Sequence, residues 1–154
     1  MADRKNAPRG VVDTSVLISG IAGFKSQIET LQNPSANLLR DWLESGSFVW
    51  LVSEVILEEY KAVMKRLEVR RNLIGNIVNL LREEAEFVEV AVTAEVSPDP
   101  ADDPFCACAE IGDAAFIVTL NPRDFPQQKL RAKVIAPGTA LPTTPLRRAR
   151  TRVR

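Results

Sequence analysis

The chain is expected to fold as a three-layer α/β/α sandwich around a central, mainly parallel sheet. Three observations predict this. Short apolar, β-branched runs alternate along the sequence with segments of helical period. Strands separated by helices pair in parallel through right-handed crossovers. Acidic and hydroxyl side chains recur where those strands end, the edge at which open α/β sheets bind ligands.

Taken in order, Gly10, Val11 and Val12 read as a short buried strand ending on Asp13, and the hydroxyls of Thr14 and Ser15 lead into a helix from Val16. Gly20 to Asn33 is polar and without firm period, so a loop with a helical turn at most is expected. Pro34 to Gly46 reads as a helix with Leu38, Leu39, Trp42 and Leu43 on one face and Gly46 as its stop. Ser47 to Val52 is a second strand. Ser53 caps a long helix to about Glu68, with Glu54 in the first turn, where an acid is favoured. Arg71 to Glu86 is a further helix, Phe87 to Val92 a strand, and Ser97 to Asp103 an acidic, Pro-containing loop. An apolar helix from Pro104 to Ile111 stops at Gly112, and strands follow at Ala115 to Leu120 and Lys133 to Ala136. Three regions are expected: a flexible N-terminus over residues 1–8, a domain over 9–141, and a Pro- and Arg-rich tail over 142–154.

At 154 residues the chain can bury the core of one ordinary domain. Its 20 basic and 20 acidic residues balance only because five arginines fall in the last nine positions; residues 1–145 hold 15 basic against 20 acidic side chains. An acidic body followed by a basic, solvated tail is the expected arrangement. No apolar run approaches the ~20 residues that cross a bilayer, and Met1 to Asn6 lacks the apolar run of a signal peptide, so a cytoplasmic protein without membrane association is expected. There is no histidine, which removes Ser-His and Cys-His nucleophilic chemistry. Cys106 and Cys108 lie two apart in a helix, point to different sides and are read as small core residues, not as a disulfide or a zinc site.

The acids carry the functional argument. Asp13 sits where a strand becomes a helix, either as a cap or as a site residue. On the long helix, Ile56, Tyr60, Val63, Met64 and Leu67 fall in one apolar sector, with Glu59 at its border. Glu58 falls on the far side beside Lys61 and Lys65, a solvated position suited to weak helical ion pairs. An acid facing the core edge, as Glu59 does, is costly unless paired or bound to a cation. Asp99, Asp102 and Asp103 precede the apolar helix, more acids than a cap requires. Asn121 and Asp124 follow the carboxyl end of the next buried strand, which carries Thr119 near that end. Carboxylates converging on one edge without matching Arg or Lys repel one another, and a divalent cation relieves that repulsion; oxygen-only ligands favour magnesium or manganese.

Four segments carry a family resemblance: Val12-Asp-Thr-Ser-Val-Leu-Ile-Ser19, Ser53-Glu-Val-Ile-Leu-Glu-Glu-Tyr60, Asp102-Asp-Pro-Phe-Cys-Ala-Cys-Ala109 and Ile117-Val-Thr-Leu-Asn-Pro-Arg-Asp-Phe125. In order and spacing they resemble the signature segments of PIN domains, and more narrowly the VapC-like PIN toxins of bacterial toxin–antitoxin systems. The likeness covers roughly residues 9–137. It implies a Mg²⁺- or Mn²⁺-dependent ribonuclease in which Asp13, Glu59 and Asp103 match the first three acids, Asp124 falls in the region of the fourth, and Ser15 matches the small polar residue beside the first. It also favours a homodimer and a cognate antitoxin. Where many members have an Asp two residues after the Thr that ends the last of these strands, this chain has Asn121. An amide oxygen still coordinates a cation but adds no charge, so a second cation is expected to bind weakly or only with substrate.

The expected chemistry is endonucleolytic hydrolysis of RNA, single-stranded or looped because A-form duplex edges are hard to reach. Asp13, Glu59, Asp103, Asn121 and Asp124 would hold the cation, Ser15 and Thr119 would position it and the substrate, and Arg123 and Lys25 would hold the strand. The Arg-rich tail would add salt-sensitive, sequence-independent affinity. One alternative is a PIN scaffold with little catalysis that binds RNA or a protein. A phospho-signalling receiver is disfavoured, because its middle strands would need to end on an acid and here end on Ser53 and Thr93. A phosphatase with an Asp-x-Asp nucleophile is disfavoured because Ser15 stands two residues after Asp13.

Overall fold

The computed structural model describes residues 7–25, 33–90 and 103–146, with the side chain of Lys25 outside that description. The expectations for residues 1–6, for a turn within 26–32, for strand over 91–92, for Asp99 and Asp102, for Lys25 as a strand-holding side chain and for the tail beyond Leu146 therefore lie outside the described residues, whereas the strand expected from Phe87 to Val92 ends at Phe87.

Five parallel strands form one sheet: β1 (Arg9–Val12), β2 (Val49–Val52), β3 (Glu86–Phe87), β4 (Phe116–Val118) and β5 (Lys133–Ile135), in the order β3-β2-β1-β4-β5. The chain runs from β1 outward through β2 to β3, then returns across the sheet to β4 and on to β5. Right-handed crossovers in opposite directions place their helices on opposite faces, which gives the three layers expected from the alternation. The first layer holds α1 (Thr14–Lys25), α2 (Pro34–Ser45), α3 (Glu54–Arg66) and α4 (Arg71–Glu84); α5 (Asp103–Ile111) packs against β1, β2 and β4. Among the described residues, no helix is long and apolar enough to cross a membrane.

The strands are shorter than the apolar runs that announced them. Phe48, Ala115 and Thr119 are buried beyond the assigned strand ends, although the Ala115 N–H still donates to Arg9 O at 2.7 Å and the Thr119 N–H to Ile135 O at 2.9 Å. Burial continues past the assigned strand ends, so composition overshoots them.

Helix α1 corrects the expectation of a loop from Gly20. It continues to Lys25 because α2 packs closely against it: a Cβ at Gly20 would lie 2.4 Å from Leu39 Cδ1. Two glycines in a helix are unfavourable by propensity, but here the close helix–helix contact outweighs that. The boundaries of α2 follow its sequence signals. Asn33 Oδ1 accepts the Ala36 N–H, Pro34 occupies the first position, and Gly46 turns left-handed at φ 62° while donating to Trp42 O. Ser53 caps α3 through its hydroxyl, which accepts the Ile56 N–H at 3.2 Å. Leu67, expected in the apolar sector of α3, is 53% exposed because the helix ends one residue earlier. Cys106 and Cys108 are buried and unbridged, as read from their spacing; burial pushes the Cys108 thiol up to about 12.

Candidate active site

The reversal in strand order falls between β1 and β4, where the chain leaves the sheet centre in opposite directions. Register pairs Val12 with Val118, so the next residues, Asp13 and Thr119, stand level at the carboxyl edge. The Asp13 N–H donates to Val118 O at 2.9 Å, continuing the ladder by one bond. Above it the side chains meet: Thr119 Oγ1 and Ser15 Oγ each donate to Asp13 Oδ2 at 2.7 Å. Those hydroxyls accept in turn, Ser15 from the Leu120 N–H at 3.2 Å and Thr119 from the Asn121 N–H at 2.9 Å. The Asp13 carboxylate thus receives hydroxyls while its own backbone carbonyl caps α1, accepting from Val16 and Leu17.

Asp13 is 6% exposed and takes part in no ion pair among the described residues. Two short hydrogen bonds to one oxygen orient the group but do not neutralise it. A buried carboxylate without a cationic neighbour is the electrostatic feature a bound cation would satisfy.

Glu59 reaches the same turn. Its Oε2 accepts a long bond from Thr14 Oγ1 at 3.4 Å, and it is half-buried, in keeping with its place at the border of the apolar sector. Glu58 is exposed and pairs with Lys61 at 3.2 Å, as the helical spacing implied. Its neighbour Tyr60 is fully buried, and the Tyr60 hydroxyl donates to Val12 O at 2.5 Å and accepts from Trp50 Nε1 at 3.3 Å. Burial raises the pKa of this phenol well above its usual value, so it stays protonated as a donor.

The Tyr60 ring also lies 6.3 Å from the ring of Phe105, two residues into α5 after Asp103, which is itself 4% exposed. One aromatic side chain therefore touches the segments bearing Asp13 and Asp103 and stands next to Glu59 in sequence. Sequence reasoning placed Tyr60 in the core and missed this part. The available signal was its polar tip, since a buried tyrosine hydroxyl needs a partner. Thr14 was likewise read only as part of the helix start.

The remaining residues are placed less centrally. Asn121 is exposed and engages Thr119 through its backbone, not its amide. Pro122–Asp124 form a single 3₁₀ turn in which Asp124 is half-buried and Arg123 exposed. Among the described residues, no group of three or more carboxylate or thiol side chains is gathered to hold a metal ion. The described geometry is thus the Asp13, Ser15 and Thr119 cluster, with Glu59 joined through Thr14.

Residues 9–123 match the sequence profile of the PIN domain. The chain therefore belongs to the PIN-domain family, whose members are generally nucleases. Among solved structures it resembles a chain of VapBC2 from Rickettsia felis, bound to a DNA fragment from the promoter, at 10% identity and TM-score 0.52. That likeness covers 82% of this chain and 96% of the other, and it bears on the fold. No curated protein matches the chain.

Proposed function

We propose that the protein is a Mg²⁺- or Mn²⁺-dependent endoribonuclease acting as the toxin of a toxin–antitoxin pair in the cytoplasm. The observation that carries this reading is Asp13: a buried carboxylate, oriented by two hydroxyls at the sheet's switch point, with no cationic neighbour among the described residues. Membership of the PIN family and likeness to a chain of a VapBC assembly support the nuclease and the toxin parts respectively. The same likeness supports a cognate antitoxin as partner; a homodimer is the proposed assembly.

Asp13, Glu59 and Asp103 are the proposed catalytic acids and metal ligands, with Asp124 a fourth acid and Asn121 a neutral oxygen donor at the rim. When bound there, a divalent cation lowers the pKa of an attacking water and offsets charge developing on the phosphate. The protein's own contribution is orientation. Ser15 and Thr119 hold the Asp13 carboxylate in one rotamer, Tyr60 holds the α3 backbone beside Glu59, and exposed Arg123 offers a guanidinium to the phosphate backbone of a single-stranded or looped RNA.

Purified protein incubated with mixed RNAs is expected to release products with manganese and to stop when chelator is added. Asp13→Asn keeps the shape of the site but removes its charge, and is expected to abolish cleavage without loss of fold; undiminished cleavage by that variant refutes the assignment. The substitution of Asn121 where many family members have Asp favours a second reading, an RNA- or protein-binding scaffold with little catalysis. Binding of RNA that ignores both metal and chelator, with no product formed, would establish that reading instead.

A further inference from the structure

A cavity of about 510 Å³ opens beside the Asp13 cluster, lined by Ser19 of α1, Asn33 to Ser35 at the start of α2, Leu120 beyond β4, and Ala136 and Pro137 beyond β5. Its size falls within the ~300–1,000 Å³ of small-molecule pockets. It shares a wall with the candidate site, because the Leu120 N–H donates to Ser15 Oγ, which donates to Asp13 Oδ2. We infer that this cavity is a nucleobase subsite, which takes the base next to the scissile phosphate and gives cleavage its sequence preference.

Three features select a base over other ligands. Among the described residues that line the cavity none is charged, so an anionic phosphate finds no counter-charge in that lining. Leu120, 48% exposed, together with Pro34, Ala136 and Pro137, offers apolar surface of the kind a planar ring covers. Polar groups stand ready for the ring's edge. Ser35 is 2% exposed as a residue and lines the cavity, so it brings a hydroxyl-bearing side chain to the wall. Ser19 also contributes a hydroxyl. Asn33, by contrast, is already committed: its Oδ1 accepts from Ala36 N and its Nδ2 donates to Ser19 O at 3.1 Å, which braces the wall. Two serines on the wall of a partly apolar cleft suit a ligand with a flat face and a hydrogen-bonding rim.

The role of the subsite in cleavage rests on the ribonuclease reading, so the test separates the two. Adenosine, guanosine, cytidine and uridine, which carry no phosphate, are titrated into the full-length protein in chelator and followed by ligand-detected NMR. One or two of the four are expected to bind better than the rest. Ser35→Ala is expected to reduce that preference about 2–10-fold, the share of one hydrogen bond. Leu120→Ala, at an exposed position, is expected to weaken all four alike. Binding by none, or equal binding by all in both wild type and Ser35→Ala, overturns the subsite even if RNA is cleaved. Selective nucleoside binding without metal-dependent RNA cleavage upholds the subsite and removes the nuclease reading.

Discussion

Thr119 illustrates how much one hydroxyl can decide. It is fully buried, it belongs to a different strand from Asp13, and its Oγ1 lies 2.7 Å from the carboxylate it orients. Thr119→Val preserves volume and branching but removes that donor and leaves the Asn121 N–H without its acceptor. Partners that orient a ligating group are typically worth 10–100-fold in affinity or activity. A drop of that order in metal-dependent RNA cleavage is expected, with the circular dichroism spectrum unchanged; full activity would show that Ser15 alone suffices. At this scale the acid itself was legible, because Asp13 ends a β-branched run and precedes two hydroxyl residues. Thr119 was named as a positioning residue, but its bond to Asp13 was not legible, because nothing in Thr119 says which strand lies beside β4.

Helix α3 shows the same division among elements. Its apolar sector, its Ser53 cap and the outward Glu58 all follow from the 3.6-residue period, and the half-burial of Glu59 was visible as a border position. The hydrogen bond from Tyr60 to Val12 O is tertiary and has no signature in the period. Tyr60→Phe strands a buried carbonyl and deprives Trp50 Nε1 of its acceptor. It is expected to destabilise the protein by about 1–3 kcal/mol, read as a lower urea midpoint at unchanged slope. If Tyr60 also positions Glu59, nuclease activity falls further than the lost stability explains. Helix α1 marks the opposite case, where local propensity argued for a loop and close packing of α2 against Gly20 prolonged the helix.

Across the whole molecule, the end of the sheet opposite Asp13 is tied by Arg9. Its Nη1 and Nη2 donate to Glu86 at 2.9 and 2.6 Å, and its Nε donates to Gly112 O, which joins β1 to β3 and to the turn before β4. The hydrogen bonds from Arg9 hold the Glu86 pKa below its ordinary 4.5. A depressed carboxylate contributes stability that is complete above the unfolded value and is lost as pH falls through the folded one. Both side chains are more than a third exposed, so solvent screening limits this to about 1 kcal/mol or less. Wild type is therefore expected to exceed Glu86→Gln modestly in urea midpoint near neutrality, and the gap should close in acid. A gap independent of pH would assign the difference to packing instead. The layered class and parallel pairing were legible from alternation, whereas the strand order that makes β1 central was not, since periodicity carries no information about neighbours.

That order has a consequence for how the protein comes into being. Asp13 and Thr119 are 106 positions apart, and ribosomes add about 5–20 amino acids per second, so the acid emerges roughly 5–20 seconds before its anchor exists. A nascent polypeptide that stalls before β4 carries the carboxylate and Ser15 but not Thr119. If the proposed ribonuclease reading holds, such a fragment is expected to leave the RNA that encodes it uncut until translation is nearly finished.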